Sequence, residues 1–381
     1  MARSAPSLST FTAGEISPRL EGRITLEKYK AGLSDLTNMV VQPHGGVTRR
    51  PGTQYLGTVK DSSVKTRLIP FQFKTTDTYI LVFGDQVMRV YRNGSQVLKG
   101  SAQNITAVTK ANPGVVTISS HGYSNGDEIF LDNVVGMTEL NGRNYKVANV
   151  TTNTFTLQDL FGNNINTTNF TTYASAGAVD EIFEVATPYA AADIFNLRFA
   201  QSADIMYFVH PSYAIRTLSR TNHNAWTFAT ATISGSPNPS LSGTDNYPSV
   251  VTFFEQRLVF AATNNNPQTL WFSKSADYLN FTTGTNADDA LIYTIASNQV
   301  NNIRYLSATR VLTIGTSGGE YVLTTTNDGP ITPTTTQIRK YSNYGSANTE
   351  PVQVADVTLF LQRGNRKVRE FKYIGEVNTA G

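Results

Sequence analysis

The run Gly315-Thr316-Ser317-Gly318-Gly319 matches the nucleophile-elbow pattern G-x-S-x-G of serine hydrolases. A serine of that kind sits on a strand-to-helix turn, and an acid and then a histidine follow it along the chain. Here the next segment, EYVLTTT, has the pattern of a strand, and no histidine follows Ser317. We therefore predict a structural turn at this position and no nucleophile.

The four histidines are not spaced like metal ligands. His44, His121, His210 and His223 are far apart, and none pairs with another histidine or a carboxylate at a ligand spacing. A metal bound by imidazoles usually needs several convergent ligands. The chain has no cysteine, which excludes thiolate sites and disulfides. The sequence predicts no metal and no cofactor.

Adjacent carboxylates occur at Asp127-Glu128, Asp180-Glu181 and Asp288-Asp289. On a strand the two members of such a pair point to opposite faces, whereas a retaining glycosidase needs two carboxyl groups about 5 Å apart in one cleft. The turn at 275–277 is similar to a sialidase Asp-box but lacks that motif's Gly-x-Thr-Trp ending. We predict that the chain is not an enzyme.

Two basic clusters remain as candidate binding residues. Arg49 and Arg50 form the first, and the second is RGNRKVR, with Arg363, Arg366, Lys367 and Arg369. Three interpretations stay open: solvated loop charge, docking to an acidic neighbouring subunit, and phosphate contact with passing DNA. We treat them as candidate subunit-docking residues.

Composition favours strands over helices. Of the 381 residues, 15% are charged and 40% hydrophobic, and the net charge is +3. Thr, Asn, Ser and Gly suit strands joined by tight turns, and a charge near zero predicts no strong attraction to nucleic acid or membranes. The chain contains no apolar run long enough to span a bilayer and no secretory h-region at its start, so we expect no membrane insertion.

Repeats of two strands with a polar break between them run through most of the chain. Taking Asp204, Gln256, Thr309 and Asp356 as the breaks, the steps are 52, 53 and 47 residues. Such periods are typical of propeller blades, and a plain β-sandwich is the alternative. The fold class is therefore all-β, with β-propeller-like repeats.

The step from Asp77 to Asp204 is too long for one blade, so we predict an inserted small β-barrel. Before the repeats lies a mostly irregular arm with one short helix, since apolar residues from Leu26 to Val40 recur at helical steps. The expected organisation is a docking arm (1–66), a first blade (67–101), the insert (102–187) and the remaining blades (188–381). Because the last segment, VREFKY, has the pattern of a blade in progress, we expect either a fragment or strands supplied from elsewhere.

Four segments resemble the tail nozzle family of short-tailed bacteriophages (podoviruses), also called tail tubular protein B or stabilisation protein. They are SLSTFTAGEISPRLEGRITLEKYKAGLSDLTNMVVQPHGGVTRRPGT, QRLVFAAT, PQTLWFSKSADYLNF and YSNYGSANTEPVQVADVTLFLQRGNRKVREFKY. The motif residues, with a structural role, are Trp271, Asp277, Tyr278, Asn280 and Phe281. The insert, through HGYSNGDEIFLDNVVGMTELNGRNYKV, resembles the first catalytic cysteine half-domain (FCCH) of ubiquitin-activating enzymes, a resemblance that carries no activity because cysteine is absent.

The nozzle resemblance implies a structural virion protein of the short tail, made in the host bacterial cytoplasm. It would form a homo-hexamer below the portal and adaptor, contact tail fibres, and pass genomic DNA without sequence-specific binding. The alternative is a receptor-binding or glycan-degrading tail fibre or spike protein, which would present aromatic and carboxylate side chains at one propeller face. A bacterial surface adhesion protein is a third possibility, which the absence of a signal peptide disfavours.

Overall fold

A computed structural model of the chain describes residues 8–298, 301–326 and 329–373. Residues 1–7 of the predicted arm and 374–381 of the predicted last blade lie outside the described residues. The chain divides into two compact units, Met1–Leu56 and Gly57–Gly381. No helix among the described residues is long and apolar enough to cross a membrane.

The first unit is built from short, exposed elements. Two 3-10 helices, Pro18–Leu20 and Glu27–Ala31, lie among the strands β1 (Gly14–Glu15), β2 (Gly32–Leu33), β3 (Met39–Val41) and β4 (Val47–Arg49). β1 pairs with β2 in parallel, and β3 with β4 in an antiparallel hairpin.

The helix expected from Leu26 to Val40 is reduced to the single 3-10 turn Glu27–Ala31, so its predicted length is wrong. Beyond Gly32, the Asp35 carboxylate accepts from the Thr37 backbone amide at 3.0 Å, a turn that competes with helix formation. Asn38 then adopts a positive φ of 57°, and Met39 begins a strand. The spacing of the apolar residues was helical, but the turn residues between them decided the backbone.

The second unit is a succession of strands with two further 3-10 helices, Thr138–Leu140 and Ile194–Asn196. Its strands are, in chain order, β5 (Arg67–Lys74), β6 (Asp77–Gly84), β7 (Val87–Arg92), β8 (Ser95–Gln96), β9 (Gln103–Asn104), β10 (Ala107–Val108), β11 (Val115–Thr117), β12 (Glu128–Val135), β13 (Arg143–Ala148), β14 (Thr154–Gln158), β15 (Ser175–Glu181), β16 (Glu184–Ala186), β17 (Arg198–Ser202), β18 (Ile205–His210), β19 (Tyr213–Asn222), β20 (Ala225–Thr230), β21 (Val250–Phe254), β22 (Arg257–Ala261), β23 (Thr269–Phe272), β24 (Leu291–Thr294), β25 (Ile303–Ala308), β26 (Leu312–Thr316), β27 (Gly319–Thr325), β28 (Thr336–Ser342), β29 (Val352–Val354), β30 (Val357–Leu361) and β31 (Val368–Phe371).

Five antiparallel sheets follow one another in a propeller arrangement. Sheet 1 has the order β5-β6-β7-β16, with β8 also on β7; sheets 2, 3 and 4 are the four-stranded meanders β17–β20, β21–β24 and β25–β28. The described part of sheet 5 is β29-β30-β31. This order confirms the all-β propeller prediction over the two-sheet sandwich.

Apolar layers hold each sheet to the next one. Ring contacts mark two of them: Phe83 and Phe208 join sheets 1 and 2 with centroids 5.4 Å apart, and Tyr305 and Phe360 join sheets 4 and 5 at 5.8 Å. Sheets 2 and 3 share a layer around Trp271, and sheets 3 and 4 share one around Leu312. Burying each large apolar side chain contributes about 1.5–3 kcal/mol, so these layers dominate the stability of the stack.

The polar breaks of the sequence repeats are the turns between the first and second strand of a sheet. Asp204, Gln256, Thr309 and Asp356 lie in the β17–β18, β21–β22, β25–β26 and β29–β30 turns. Gln256 has a positive φ of 60°, as tight hairpins require. The repeating sequence signal is therefore the turn between the first two strands of each sheet.

The insert is a closed barrel around its own core. Its sheet runs β10-β11-β14-β13-β12-β15-β9. Residues 103–108 form one continuous segment whose first half pairs with β15 and whose second half pairs with β11. That segment joins the two ends of the sheet, and fifteen buried apolar residues fill the interior.

Candidate functional site: a basic groove beside the fourth sheet

A groove of about 730 Å³ opens between sheets 3 and 4, with the β30–β31 turn of sheet 5 at one end. The described residues that line it are Tyr293, Ile295, Ala296, Ser297, Asn298, Asn301, Ser317, Gly318, Tyr321, Ile338, Lys340, Asn343, Tyr344 and Arg363. Four chain segments converge there. In an antiparallel meander every second connection lies at the same end of the strands, so connections that are distant in sequence become neighbours. They are the β24–β25 and β28–β29 connections and the β26–β27 and β30–β31 turns.

The charge of this groove is positive. Its two charged side chains are Lys340 and Arg363, and no Asp or Glu is among the described lining residues. The Lys340 ammonium lies 5.9 Å from the centre of the Tyr321 ring, and Arg363 Nη1 donates to the Ser317 carbonyl at 3.3 Å. No described carboxylate lies within 4.0 Å of either cation. Both cations therefore keep their charge available to a ligand.

Buried contacts fix the neutral part of the lining. Asn301, which is buried, donates through Nδ2 to the Tyr321 hydroxyl at 3.1 Å and to Ser297 Oγ at 2.8 Å. A Cβ on Gly318 would lie 2.0 Å from Asn301 Oδ1, so only glycine fits that turn position. The Arg369 guanidinium stacks 4.1 Å above the Tyr344 ring. These contacts hold the groove in one geometry before any ligand arrives.

Glu320, the second residue of β27, is buried and precedes the groove residue Tyr321. One carboxylate oxygen accepts from Ser346 Oγ at 2.9 Å, and the other accepts from the Ser342 hydroxyl. Burial, together with the Glu320 charge, raises the pKa of the nearby Tyr305 phenol. Glu320 thus accepts hydrogen bonds from two serine hydroxyl groups, and we assign it a structural role.

Of the predicted docking residues, the structure brings part of the second basic cluster to the groove. Arg363 lines it, and Arg369 stacks on its wall; Arg366 and Lys367 lie in the same β30–β31 turn and do not line it. Arg49 and Arg50 lie in the first unit. There, Arg50 Nε donates to Asn38 Oδ1 at 2.9 Å.

The motif residues of the β23–β24 region form two groups: the aromatic residues Trp271 and Phe281 are buried, and Asp277, Tyr278 and Asn280 lie in a turn. Trp271 is fully buried, and its indole N–H donates to the Pro239 carbonyl at 2.8 Å. Phe281 stacks on Phe260 with centroids 5.6 Å apart. Asn280 Nδ2 donates to the Asp277 carboxylate at 3.0 Å, and Tyr278 packs edge-on against Phe253.

Ser317 lies in a strand-to-strand turn, between β26 and β27. Gly315, the first residue of the motif, is on β26 opposite Tyr305, and an added Cβ would come 2.1 Å from that ring. The glycine therefore lets the Tyr305 ring lie against the backbone. The segment has the geometry of the predicted structural turn.

The adjacent carboxylate pairs are engaged by structural partners, and Asp288 and Asp289 share one of them, Lys274. Glu128 binds the Arg89 guanidinium at 2.5 Å, and Glu181 pairs with Lys99 at 2.7 Å. Asp289 pairs with Lys274 at 3.0 Å, a contact that lowers the pKa of the Asp289 carboxyl. The described residues contain no group of three or more His, Cys, Asp or Glu side chains placed to hold a metal ion.

Lys340, Tyr321 and Asn301 were not singled out from the sequence. Lys340 is isolated from other cations except Arg339, and it meets Arg363 only after β28 and the β30–β31 turn have been brought to the same edge. The alternation of basic and aromatic residues in RKYSNY was the available signal.

Residues 111–182 match the family profile of the ubiquitin-activating enzyme E1 FCCH domain, which confirms that resemblance for the insert. The chain is 35% identical over 104 residues to ubiquitin-like modifier-activating enzyme 1 of Oryctolagus cuniculus and 34% identical to that of Homo sapiens. Each alignment covers 26% of this chain and 9% of the relative, so the chain spans less than a tenth of those proteins' length.

Among solved structures, the phage phi92 endosialidase aligns with 78% of this chain and 53% of its own chain. The TM-score is 0.31 and the sequence identity 13%. A likeness at this level bears on neither candidate function. Nothing in these comparisons speaks for the tail nozzle family, which stays a prediction from the quoted segments.

Proposed function

We propose that the chain is a structural subunit of a short phage tail, a nozzle-type wall protein that works by assembling with copies of itself. The observation that carries this proposal is an apolar sheet face that the described chain leaves uncovered. The four segments that resemble the nozzle family support the same function.

The uncovered face belongs to sheet 5. Side chains alternate along its strands, and the side turned towards sheet 4 carries the buried Phe360 and Phe371. The opposite side carries the aliphatic residues Val352, Val354, Val357, Leu359, Leu361 and Val368, with the exposed Glu370 paired opposite Leu359. Val368 is 70% exposed and Val352 61%. An exposed aliphatic patch rimmed by a charged residue marks an interaction site.

Sheet 1 carries the matching half of such a contact. Leu68 and Ile80 face away from sheet 2 and are 64% and 41% exposed. In the described chain no apolar cluster joins sheet 5 to sheet 1, although Glu350 approaches Arg67 at 3.9 Å and Arg198 at 3.3 Å. Among the described residues, each chain thus presents two different exposed apolar patches, one on sheet 5 and one on the β5–β6 side of sheet 1, as a heterologous contact that closes into a ring by rotation requires.

A second copy of this chain is the occupant that we propose for the sheet 5 face. The contacts between sheets 1 to 5 are all apolar sheet-on-sheet layers, and a copy offers a face of the same chemistry. The finer expectations follow from the nozzle resemblance: six copies, the adaptor above, tail fibres beside, and DNA passing through.

The test is the double variant Val352→Lys/Val354→Lys, with Val135→Lys as matched control. Val135 is a strand valine of the insert, 51% exposed. We expect sedimentation velocity to show rings for the parent and the control and monomers for the double variant, each with an unchanged circular dichroism spectrum. Rings formed equally well by the double variant would contradict the proposal.

The second candidate function, a receptor-binding tail fibre or spike protein, is favoured by the basic groove. The groove supports binding more than cleavage, because glycoside hydrolysis requires a pair of carboxyl groups and the described lining has none.

A further inference from the structure

We propose that the groove beside sheet 4 binds a saccharide chain that carries carboxylate groups, and that it binds without cleaving. Lys340 and Arg363 would pair with the carboxylates, while the tyrosine rings and side-chain amides contact the sugar rings. This inference rests on the second candidate function and names its site and ligand class.

The electrostatics select an anion. Some cations of the second unit, such as Arg89, Lys99 and Lys274, are paired with carboxylates at 2.5–3.0 Å, while others on its surface have no ion pair among the described residues. Lys340 and Arg363 have no such partner among the described residues, and they lie on the same cavity. Exposed cations without a carboxylate partner on a concave surface concentrate ligands of the opposite sign. A carboxylate is a good match for the guanidinium fork of Arg363.

The neutral lining selects a hydroxylated ligand. Ligand pockets are usually lined mainly by apolar side chains, whereas this one is lined by amides, hydroxyls and phenols. Asn298 and Asn343 can donate to or accept from sugar hydroxyls. Tyr293 and Tyr344 offer flat rings with a polar tip, which suit a ring that is apolar on its faces and polar at its edge. The volume of about 730 Å³ lies within the usual range for ligand sites, about 300–1,000 Å³.

The preformed wall adds to the affinity. Asn301 is fixed by Tyr321 and Ser297, and Arg369 holds the Tyr344 ring from outside. A ligand therefore pays little ordering entropy from these side chains on binding.

Single-stranded nucleic acid is the competing class of polyanion, because it also uses cations and stacked aromatic rings. Its backbone requires a run of cations along the track, whereas this groove offers two, separated by neutral side chains. The structure therefore favours a saccharide, and nucleic acid is an outcome of the test.

Calorimetric titration of the full chain with four probes tests the assignment: oligogalacturonate, oligosialic acid, a neutral maltooligosaccharide of equal length, and a ten-residue oligothymidylate. We expect binding of at least one acidic saccharide, no binding of the neutral one, and weaker binding of the oligonucleotide. The variants Lys340→Gln and Arg363→Gln should each lower the affinity for the acidic saccharide about tenfold, because each loses one charge-assisted contact.

Arg366→Gln is the matched control, since it removes a cation of the same turn that does not line the groove. Its affinity should equal that of the parent, and the bound saccharide should be recovered uncut. Failure to bind either acidic saccharide, preference for the neutral sugar or the oligonucleotide, or equal loss in Arg366→Gln would overturn the inference. Ring assembly is measured separately, so either proposal can fail alone.

Discussion

At the residue scale, the buried guanidinium of Arg257 is engaged in structure. Arg257, which is fully buried, donates to the backbone carbonyls of Ser273 at 2.7 Å, Asp289 at 2.7 Å and Ala287 at 2.6 Å. It holds the polar loop after β23 against the sheet, where each charge-assisted bond is stronger than a neutral one. The sequence letters QRLVF could not show this, because the three acceptors are backbone atoms 16–32 positions away.

His210 provides a pH prediction at this scale. Burial lowers the pKa of its imidazole below the ordinary 6.5, and the charge of Asp193 offsets part of the effect. Its Nδ1 accepts from the Ser212 amide at 3.1 Å, which requires the neutral ring. The unfolded chain therefore binds a proton at a higher pH than the folded chain, and unfolding is favoured as pH falls below about 6.5.

We expect the free energy of unfolding, measured with urea, to decrease between pH 7 and pH 5, and the His210→Gln variant to show a smaller decrease. His44, which is exposed in the first unit, supplies the control variant His44→Gln. An identical pH profile for parent and His210→Gln would contradict this account.

At the scale of elements, the insert is fixed to sheet 1 by a buried ion cluster. Arg89 on β7 is almost fully buried, and it binds Glu128 on β12 of the barrel and Glu184 on β16. The Glu128 side chain is only 5% exposed. Removing the cation leaves a buried carboxylate without its partner, and that costs about 3–5 kcal/mol.

Arg89→Met should therefore lower the free energy of unfolding by about 3–5 kcal/mol. Lys99→Met is the comparison, because it breaks a more exposed pair with Glu181 and should cost less than about 1 kcal/mol. Chemical denaturation of both variants checks the difference. Equal losses would mean that the buried cluster does not anchor the barrel.

Sequence patterns predicted the sheets better than the groove. The hairpin turns at Asp204 and Gln256 were recognisable because two-residue breaks between apolar strands are local signals. The predicted length of the helix from Leu26 was wrong because the hydrogen-bonded turn at Asp35 stabilises a non-helical backbone despite the helical spacing of the apolar residues. The groove depends on Lys340 and Arg363, residues of two sheets whose proximity only the stacking of those sheets determines.

At the scale of the whole molecule, the five sheets are joined by apolar layers, and the described residues leave exposed apolar patches on sheets 1 and 5. Strand pairing within each sheet and the layers between sheets give a stiff element, as the wall protein that we propose would require. An uncovered face like that of Val352 and Val368 is also an aggregation hazard unless a partner covers it.

Electron cryomicroscopy of the intact virion, with this chain located in the density, tests the central claim most directly. We predict six copies in a ring around the axial DNA channel of a short tail, with sheet 5 of each copy covered by its neighbour. Copies found only at the tips of peripheral spikes, or with the sheet 5 face open to solvent, would contradict a structural nozzle role.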